Sequence, residues 1–438
     1  MKKFWYAEAL CTGNTHWLNS LAIKCAILTG NENLIVIRWF SVLSSFIFCG
    51  ITFTWIRSIK DLHLKVLIFA VVLCNPYILD YFSIARGYAS GLMFQALGLL
   101  YFVRALQNHG KYFKFLALLF SGLSAISNFS YIYFFMAFCL VYFSYYYFRK
   151  GNNFFKKPGF YRDCFYSLAI ALLVIRAFKF MTDCSNDVVG AGTEYFREYF
   201  HVFIDGLVYR KWPINIQQLD MLSYVVFTII LISFSYGIIN RKKHNNEIYF
   251  YISCILAIII SVSLINHFVF GLVFPYYRSA VFLFPTSAAC FIYFLYYSTK
   301  NFNFQKGLSY TISAVLILNM LLSINFKWVF DFYIQANLKD SFDELEKLQA
   351  KHVGISPELY GGYRNYYQMT WKYHYDFFGE PIHTNLPKGV TDNPFRLKEF
   401  DHIVLFPPYD LSYYKNNKVW FEAVKLFPET GTLILKVQ

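Results

Sequence analysis

Residues 248–267 read IYFYISCILAIIISVSLINH, a run without Asp, Glu, Lys or Arg. Its length matches the roughly 20 residues that a helix needs to cross a hydrocarbon core of about 30 Å. On either side of it, further apolar and aromatic-rich runs lie at about 34–56, 64–79, 86–106, 114–127, 130–148, 164–181, 220–240, 278–298 and 307–325. The runs at 64–79 and 114–127 are the shortest. A water-soluble domain could not hide so many apolar segments. Lipid offers no partner to backbone polar groups, so the runs are expected to be helices. The expected fold is an α-helical polytopic membrane protein with about ten transmembrane helices.

The connections between the runs divide by charge. One set carries Arg57, Lys60 and Lys65, then Arg104, Lys111 and Lys114, then Arg149, Lys150, Lys156, Lys157 and Arg162, then Arg241, Lys242 and Lys243, then Lys300 and Lys306. The other carries only Arg86, Arg197, Arg210, Lys211 and Arg278 in its short loops. The positive-inside rule makes the first set cytoplasmic and explains most of the +14 formal charge. Nucleic acid is not expected as a partner, because the basic residues sit at helix ends and form no stripe.

With this orientation residues 1–33 fall outside, as an extracytoplasmic amphipathic segment in which 17–28 is too short to span. No spanning helix precedes it, so either this tail is translocated unaided or, the favoured expectation, a first transmembrane helix is missing upstream. Residues 34–328 form the multi-spanning domain, with an outer loop at 182–219. Within that loop Tyr195, Phe196, Tyr199, Phe200, Phe203 and Ile204 have helical spacing, which predicts an amphipathic surface helix over 193–208. From 329 to 438 the composition becomes that of a small soluble α/β domain on the outer side. Asp340–Lys351 reads as a helix capped by Asp340 or Ser341, and Leu359–Trp371 as a second. Val353–Ser356, His402–Phe406 and Thr432–Val437 read as strands.

The nine cysteines are scattered and include no CxxC pair, and there is no HExxH, GxxxxGK[ST] or GxGxxG. No cofactor is expected, and no ligand cluster supports a divalent metal. Charged groups beside a membrane are costly and are therefore candidate functional groups. NPYILDYFSIARGY (75–88) places Asn75, Asp80, Arg86 and Tyr88 where two helices meet the outer surface. An Arg and an Asp there suit a phosphate clamp, or a salt bridge between helices. FPYYRSAVFLFP (274–285) puts Arg278 at the outer start of a helix, where its planar fork suits a phosphate or snorkels to the interface. Arg176 and Lys179 share one face of the outer half of 164–181, for a polar cavity or for lipid head groups. Asn14, His16 and Asn19 cluster at a helix start, where Asn14 suits a cap and all three suit hydrogen bonds to a sugar.

NTHWLNSLAIK (14–24), GNENLIVIRWFSVLSS (30–45), NPYILDYFSIARGY and YYRSAVFLFP together resemble bacterial glycosyltransferases of the GT-C superfamily, narrowly the family-39-like, mannosyltransferase-type membrane proteins. The usual forms read approximately NNHxLN, E-x-x-LRxPN, PYxLDxFSxARGY and a late R-x-A-x-F-x-x-P. The resemblance runs over most of residues 14–325, and its most specific piece is DYFSIARGY. It implies transfer of a sugar from a polyprenyl-phosphate carrier to a glycan, lipid or protein acceptor on the outer face of a bacterial cytoplasmic membrane. It implies that Arg86 and Arg278, with Arg176 and Lys179 nearby, meet the carrier phosphate. Asn14, His16, Asn19 and Tyr88 would line the sugar or acceptor cavity.

The family's general base is an acidic residue in the first outer loop, often in a Y-D-E-A-like motif. The nearest match is Tyr6-Ala7-Glu8-Ala9, which has Ala in place of the Asp and lies too close to Asn14. Glu8 and an orienting Asp80 are the candidates for catalysis, and the chain as given is expected to be truncated or inactive. The alternatives are a lipid-linked sugar transporter or flippase, which would need broken helices or paired charges near the midplane, and an O-antigen polymerase.

Overall fold

The structure is a computed structural model. It describes residues 16–28, 36, 38–84, 86–107, 111–150, 158–184, 192–193, 195–208, 215–240, 247–275, 277–298, 302–323, 337–350, 352–355, 378–381, 401–405, 420–428 and 430–437. The chain divides into two compact units, Met1–Ile324 and Asn325–Gln438.

The first unit is helical. In chain order it contains α1 (Trp17–Ile27), α2 (Trp39–Ser58), α3 (Leu62–Leu73), α4 (Pro76–Ser83), α5 (Gly87–Leu106), α6 (Lys111–Ser127), α7 (Ile132–Lys150) and α8 (Pro158–Cys184). After a short loop helix, α9 (His201–Val208), come α10 (Ile216–Ile239), α11 (Glu247–Phe270), α12 (Leu283–Ser298) and α13 (Phe302–Ser323). Every one of the ten apolar runs is mainly helical over its described residues. Seven of the described helices are long and apolar enough to cross a membrane, and α3 with α4 makes an eighth if the bent pair is one span. The helices at 112–127 and 283–297 are apolar but shorter. This is the architecture of a multi-pass membrane protein.

Local chemistry sets the breaks. Between α3 and α4 the axis bends by 51°. Pro76 lacks an amide proton and holds Asn75 extended, at φ −105° and ψ 107°. The Asn75 Oδ1 then accepts the Ile78 amide at 3.1 Å and starts α4 afresh. At the end of α11, Gly271 takes φ +67°, so Leu272 N–H can reach back to the Asn266 carbonyl at 3.2 Å. Hydroxyls inside helices are spent on their own backbones, as with Thr52 to Phe48 O and Ser263 to Ile259 O, both at 3.0 Å. That removes polar groups that lipid could not satisfy.

Three helices differ from expectation. The apolar run at 164 begins late because α8 starts at Pro158, carrying Arg162 and Asp163 into the helix. Asp163 is buried, but it accepts Tyr142 Oη at 2.7 Å and pairs with Arg162 at 2.8 Å. Helix α1 turns His16, Asn19, Ala22 and Ala26 inward and Leu21, Lys24, Cys25 and Leu28 outward. Its small and polar face is therefore the packed one, against α2, α5 and α6. Trp39 Nε1 ties it to α2 through the Ala22 carbonyl at 3.2 Å. The third case is residues 193–208, which are not one amphipathic surface helix. A 3-10 turn (Phe196–Phe200) leads into α9, and Tyr199, Phe200 and His201 are all buried. Tyr199 Oη meets Ser263 Oγ on α11 at 3.0 Å, which draws the segment into the bundle end.

The first unit also holds two short strands, β1 (Gly192–Thr193) and β2 (Phe274–Pro275), and the second unit holds α14 (Leu338–Lys347), β3 (His352–Ile355), β4 (Phe378–Pro381), β5 (His402–Leu405), β6 (Phe421–Phe427) and β7 (Thr432–Val437). The sheet order is β4-β3-β5-β7-β6, parallel across β4, β3 and β5 and antiparallel across β5, β7 and β6. Helix α14 starts three residues before Ser341, with Asn337 at its N-cap. Asn337 makes no side-chain cap, because its Oδ1 accepts Thr430 Oγ1 at 2.9 Å. The strands expected around 353, 402 and 432 are present. The helix expected over 359–371 lies outside the described residues.

Candidate functional site

The N-terminal end of α5 is where the sequence candidates meet. Gly87 opens the helix, and it is Gly because no other residue fits. A Cβ there would lie 2.0 Å from the Ser127 carbonyl oxygen and 2.9 Å from both Cβ and Nδ1 of His16. The missing side chain lets the end of α6 and the start of α1 close onto α5. His16 then packs edge-on against Tyr88, with ring centroids 5.1 Å apart. Tyr88 meets Tyr81 at 4.8 Å, and Tyr81 Oη donates to Tyr77 Oη at 2.7 Å. A file of rings thus joins α1, α5 and α4.

Arg278 is brought to the same end from far along the chain. It lies in a 3-10 turn (Tyr277–Ala280) ahead of α12. Two residues of α5 hold the backbone between that turn and α12. Gln95 Nε2 donates to the Phe282 carbonyl at 2.7 Å and to Thr286 Oγ1 at 3.1 Å. Gly91 leaves room for the ring of Tyr131, whose hydroxyl donates to the Tyr88 carbonyl at 3.4 Å and whose ring faces Phe282. Tyr133 stacks on Phe282 at 5.6 Å.

His16 reports the electrostatics of the site. Burial holds its imidazole well below the ordinary 6.5, at about 3, and the charges of Arg86 and Arg278 both add to the effect. The Ser127 carbonyl opposes the shift by favouring the protonated ring. The ring nitrogens nevertheless make no hydrogen bond of normal geometry, so the carbonyl's pull is the weaker force. Both guanidinium groups therefore act on one neutral, buried imidazole. The positive end of the α5 dipole points to the same place. Such a convergence of like charge and amide dipole is suited to an anion, and above all to a phosphate.

The other candidates are placed as follows. Asn19 is buried on the packed face of α1, and Asp80 is half-buried on α4 beside Tyr81. Arg176 is exposed on α8. Glu8 and Asn14 lie outside the described residues, as does the side chain of Lys179. His16, not Asn14, occupies the N-cap of α1, without a side-chain cap bond. Gly87, Gln95 and Tyr131 were not foreseen, and neither was Asp220. Asp220 accepts His201 Nε2 at 3.1 Å and pairs with Arg197 at 3.2 Å, which pins the loop before α9 to α10. No group of His, Cys, Asp and Glu with metal-binding geometry occurs among the described residues.

No protein-family model matches the chain, and no curated protein matches it in sequence.

Proposed function

We propose that this chain is a membrane glycosyltransferase of the GT-C type that takes a sugar from a polyprenyl-phosphate carrier. The acceptor is a glycan, lipid or protein hydroxyl on the outer face of a bacterial cytoplasmic membrane. One observation carries the reading: Gln95 and Tyr131 tie the segment that follows the Arg278 turn to α5, the helix that Arg86 caps, although the two arginines are 192 positions apart in sequence. In this reading the ten apolar helices all cross the membrane and the sheet-containing unit lies outside.

Chemically the arginines would hold the carrier phosphate and stabilise the charge it gains as the glycosidic bond breaks. The acceptor oxygen attacks the anomeric carbon from the opposite face with inversion, while a carboxylate takes its proton. The phosphate is a good leaving group, so no separate acid is needed. Neutral His16 can accept or donate a hydrogen bond to a sugar without adding a third cation. Glu8 and Asp80 are the carboxylates proposed for the base and its orientation.

The test uses the full chain and a radiolabelled polyprenyl-phosphate sugar. Arg86→Ala and Arg278→Ala should each weaken binding by about 10- to 100-fold, the equivalent of one charge-assisted contact. Arg57→Ala should bind normally. Among carboxylates, the variant of Glu8→Gln and Asp80→Asn that binds carrier but does not transfer identifies the base. Normal carrier binding by both arginine variants would rule the reading out.

A second reading is export of a lipid-linked sugar. The 51° break between α3 and α4 favours it, because transporters use broken helices. Sugar appearing across a vesicle membrane still attached to its carrier would favour this reading over transfer.

A further inference from the structure

At the other end of α5 a cavity of about 210 Å3 opens between α2, α5, α11 and α12. Its lining includes buried Phe48, Val72 and Pro285 beside Ala96, and exposed Ser58 and Gln107 with half-buried Arg104, which mark its mouth. From Ala96 to Gln107 the helix rises about 16 Å. That is about half the roughly 30 Å thickness of a hydrocarbon core, the depth of one leaflet. The cavity therefore runs from the level of mid-helix residues to the basic ends of α2 and α5.

The wall is apolar by construction. Thr52 and Thr54 line it, but their hydroxyls donate to Phe48 O at 3.0 Å and Gly50 O at 2.8 Å. Ser58 Oγ likewise turns to Trp55 O at 2.6 Å. Such a wall offers little to a sugar or another hydroxyl-rich ligand. Trp55 and Tyr293 add an indole N–H and a phenol to the lining, but its one charged residue, Arg104, is at the mouth. There the Arg104 guanidinium lies 5.9 Å from the Tyr101 ring and 5.8 Å from the Phe113 ring. Contact with rings engages the face of a guanidinium and leaves its donor edge to oxygens. Exposed Arg57 and Lys60 at the end of α2 add positive charge on the same side.

We propose that this cavity binds one acyl chain of an anionic phospholipid from the leaflet at the basic end of the bundle, with its phosphate at Arg104 and Gln107. Depth, apolar wall and cationic mouth match that molecule in order along its length. The site lies at the opposite end of α5 from His16 and does not depend on sugar transfer. Its failure would leave the proposed function untouched.

Trp55 makes the test direct. Its indole lines the cavity, with its ring centroid 5.9 Å from that of Tyr293. The full chain is reconstituted in vesicles containing phosphatidylglycerol or phosphatidylcholine with the same brominated acyl chain. The fluorescence lost in Trp55→Phe isolates the Trp55 signal. Half-quenching should need about fivefold less brominated phosphatidylglycerol than phosphatidylcholine, as one cation near a charged surface would give. Arg104→Gln should remove that preference, and Ala289→Phe, which fills the cavity, should remove the quenching. Equal quenching by the two lipids, or a preference kept in Arg104→Gln, overturns the proposal. So does quenching unchanged in a folded Ala289→Phe, because Trp55 would then be reporting lipid at the protein's outer surface. Should Ala289→Phe fail to fold, the Arg104→Gln comparison decides alone.

Discussion

Gln95 on α5 and Phe282 at the head of α12 are joined by one hydrogen bond, from the amide Nε2 to the backbone carbonyl at 2.7 Å. It spans 187 positions of sequence and fixes the segment that carries Arg278 to the helix that carries Arg86. Gln95→Leu leaves that buried carbonyl without its donor. The expected cost is about 1–3 kcal/mol in stability. On the proposed function it also weakens carrier binding, although Gln95 lies away from the phosphate. Thermal unfolding in detergent measures the first effect, and carrier titration the second. A variant as stable as the parent would mean that Tyr131 and Phe282 alone hold the segment.

Gly87 and Gly50 should respond oppositely to the same change. Gly87→Ala drives a methyl into the backbone oxygen of Ser127, and backbone cannot rotate away. Overpacking of this kind typically costs about 1–3 kcal/mol, and here α1 is expected to detach as well. Gly50 has nothing within 4 Å of its would-be Cβ, so Gly50→Ala should be neutral or gain up to about 1 kcal/mol from helix propensity. Melting temperatures of the pair, with proteolysis at α1 as a second readout, check the contrast.

Acid should destabilise the protein through His16. The imidazole titrates at about 3 when folded and at 6.5 ordinarily, so the unfolded chain binds the proton first as pH falls. Stability from this group is complete above 6.5 and declines from there down to about 3, by about 2 kcal/mol at pH 5. His16→Gln should flatten that part of the pH profile, measured as the difference between the two proteins' unfolding midpoints from pH 7 to 4. Parallel profiles would show that His16 is reached by water when folded.

If all ten apolar helices cross, as proposed, residues 243 and 337 lie on opposite sides of the membrane. Reporter fusions after Lys243 and after Asn337 should therefore light up in opposite compartments. The same compartment for both would remove one crossing among α11, α12 and α13.

Much of the fold was legible because hydropathy is a local property. All ten apolar runs became mainly helical over their described residues, and the strands around 353, 402 and 432 could be read from β-branched clusters. What escaped depends on partners far along the chain. Gly87 looks like any helix-start glycine until Ser127 and His16 arrive. Gln95 reads as a stray polar residue in an apolar run until Phe282 supplies an acceptor. Strand β6 escaped because a register shift between Ala423 and Lys425 breaks its alternation. Strand β4, Phe378–Pro381, contains Gly and Pro and is recognisable only by its parallel pairing with β3. The inward face of α1 defied expectation because it faces helices that crowd together, where small side chains pack best.

The two-stranded sheet of the helical unit has a mechanical meaning. Strand β1 (Gly192–Thr193) pairs antiparallel with β2 (Phe274–Pro275), matching Gly192 to Pro275 and Thr193 to Phe274. One partner lies just ahead of the turn that leads into α9, and the other sits three residues before Arg278. The ribbon thus links the backbone of these two segments directly. A displacement of the loop preceding α9 would be passed through this pairing to the backbone just before Arg278. A one-residue slip of that pairing would shift the backbone on which Arg278 stands three residues later.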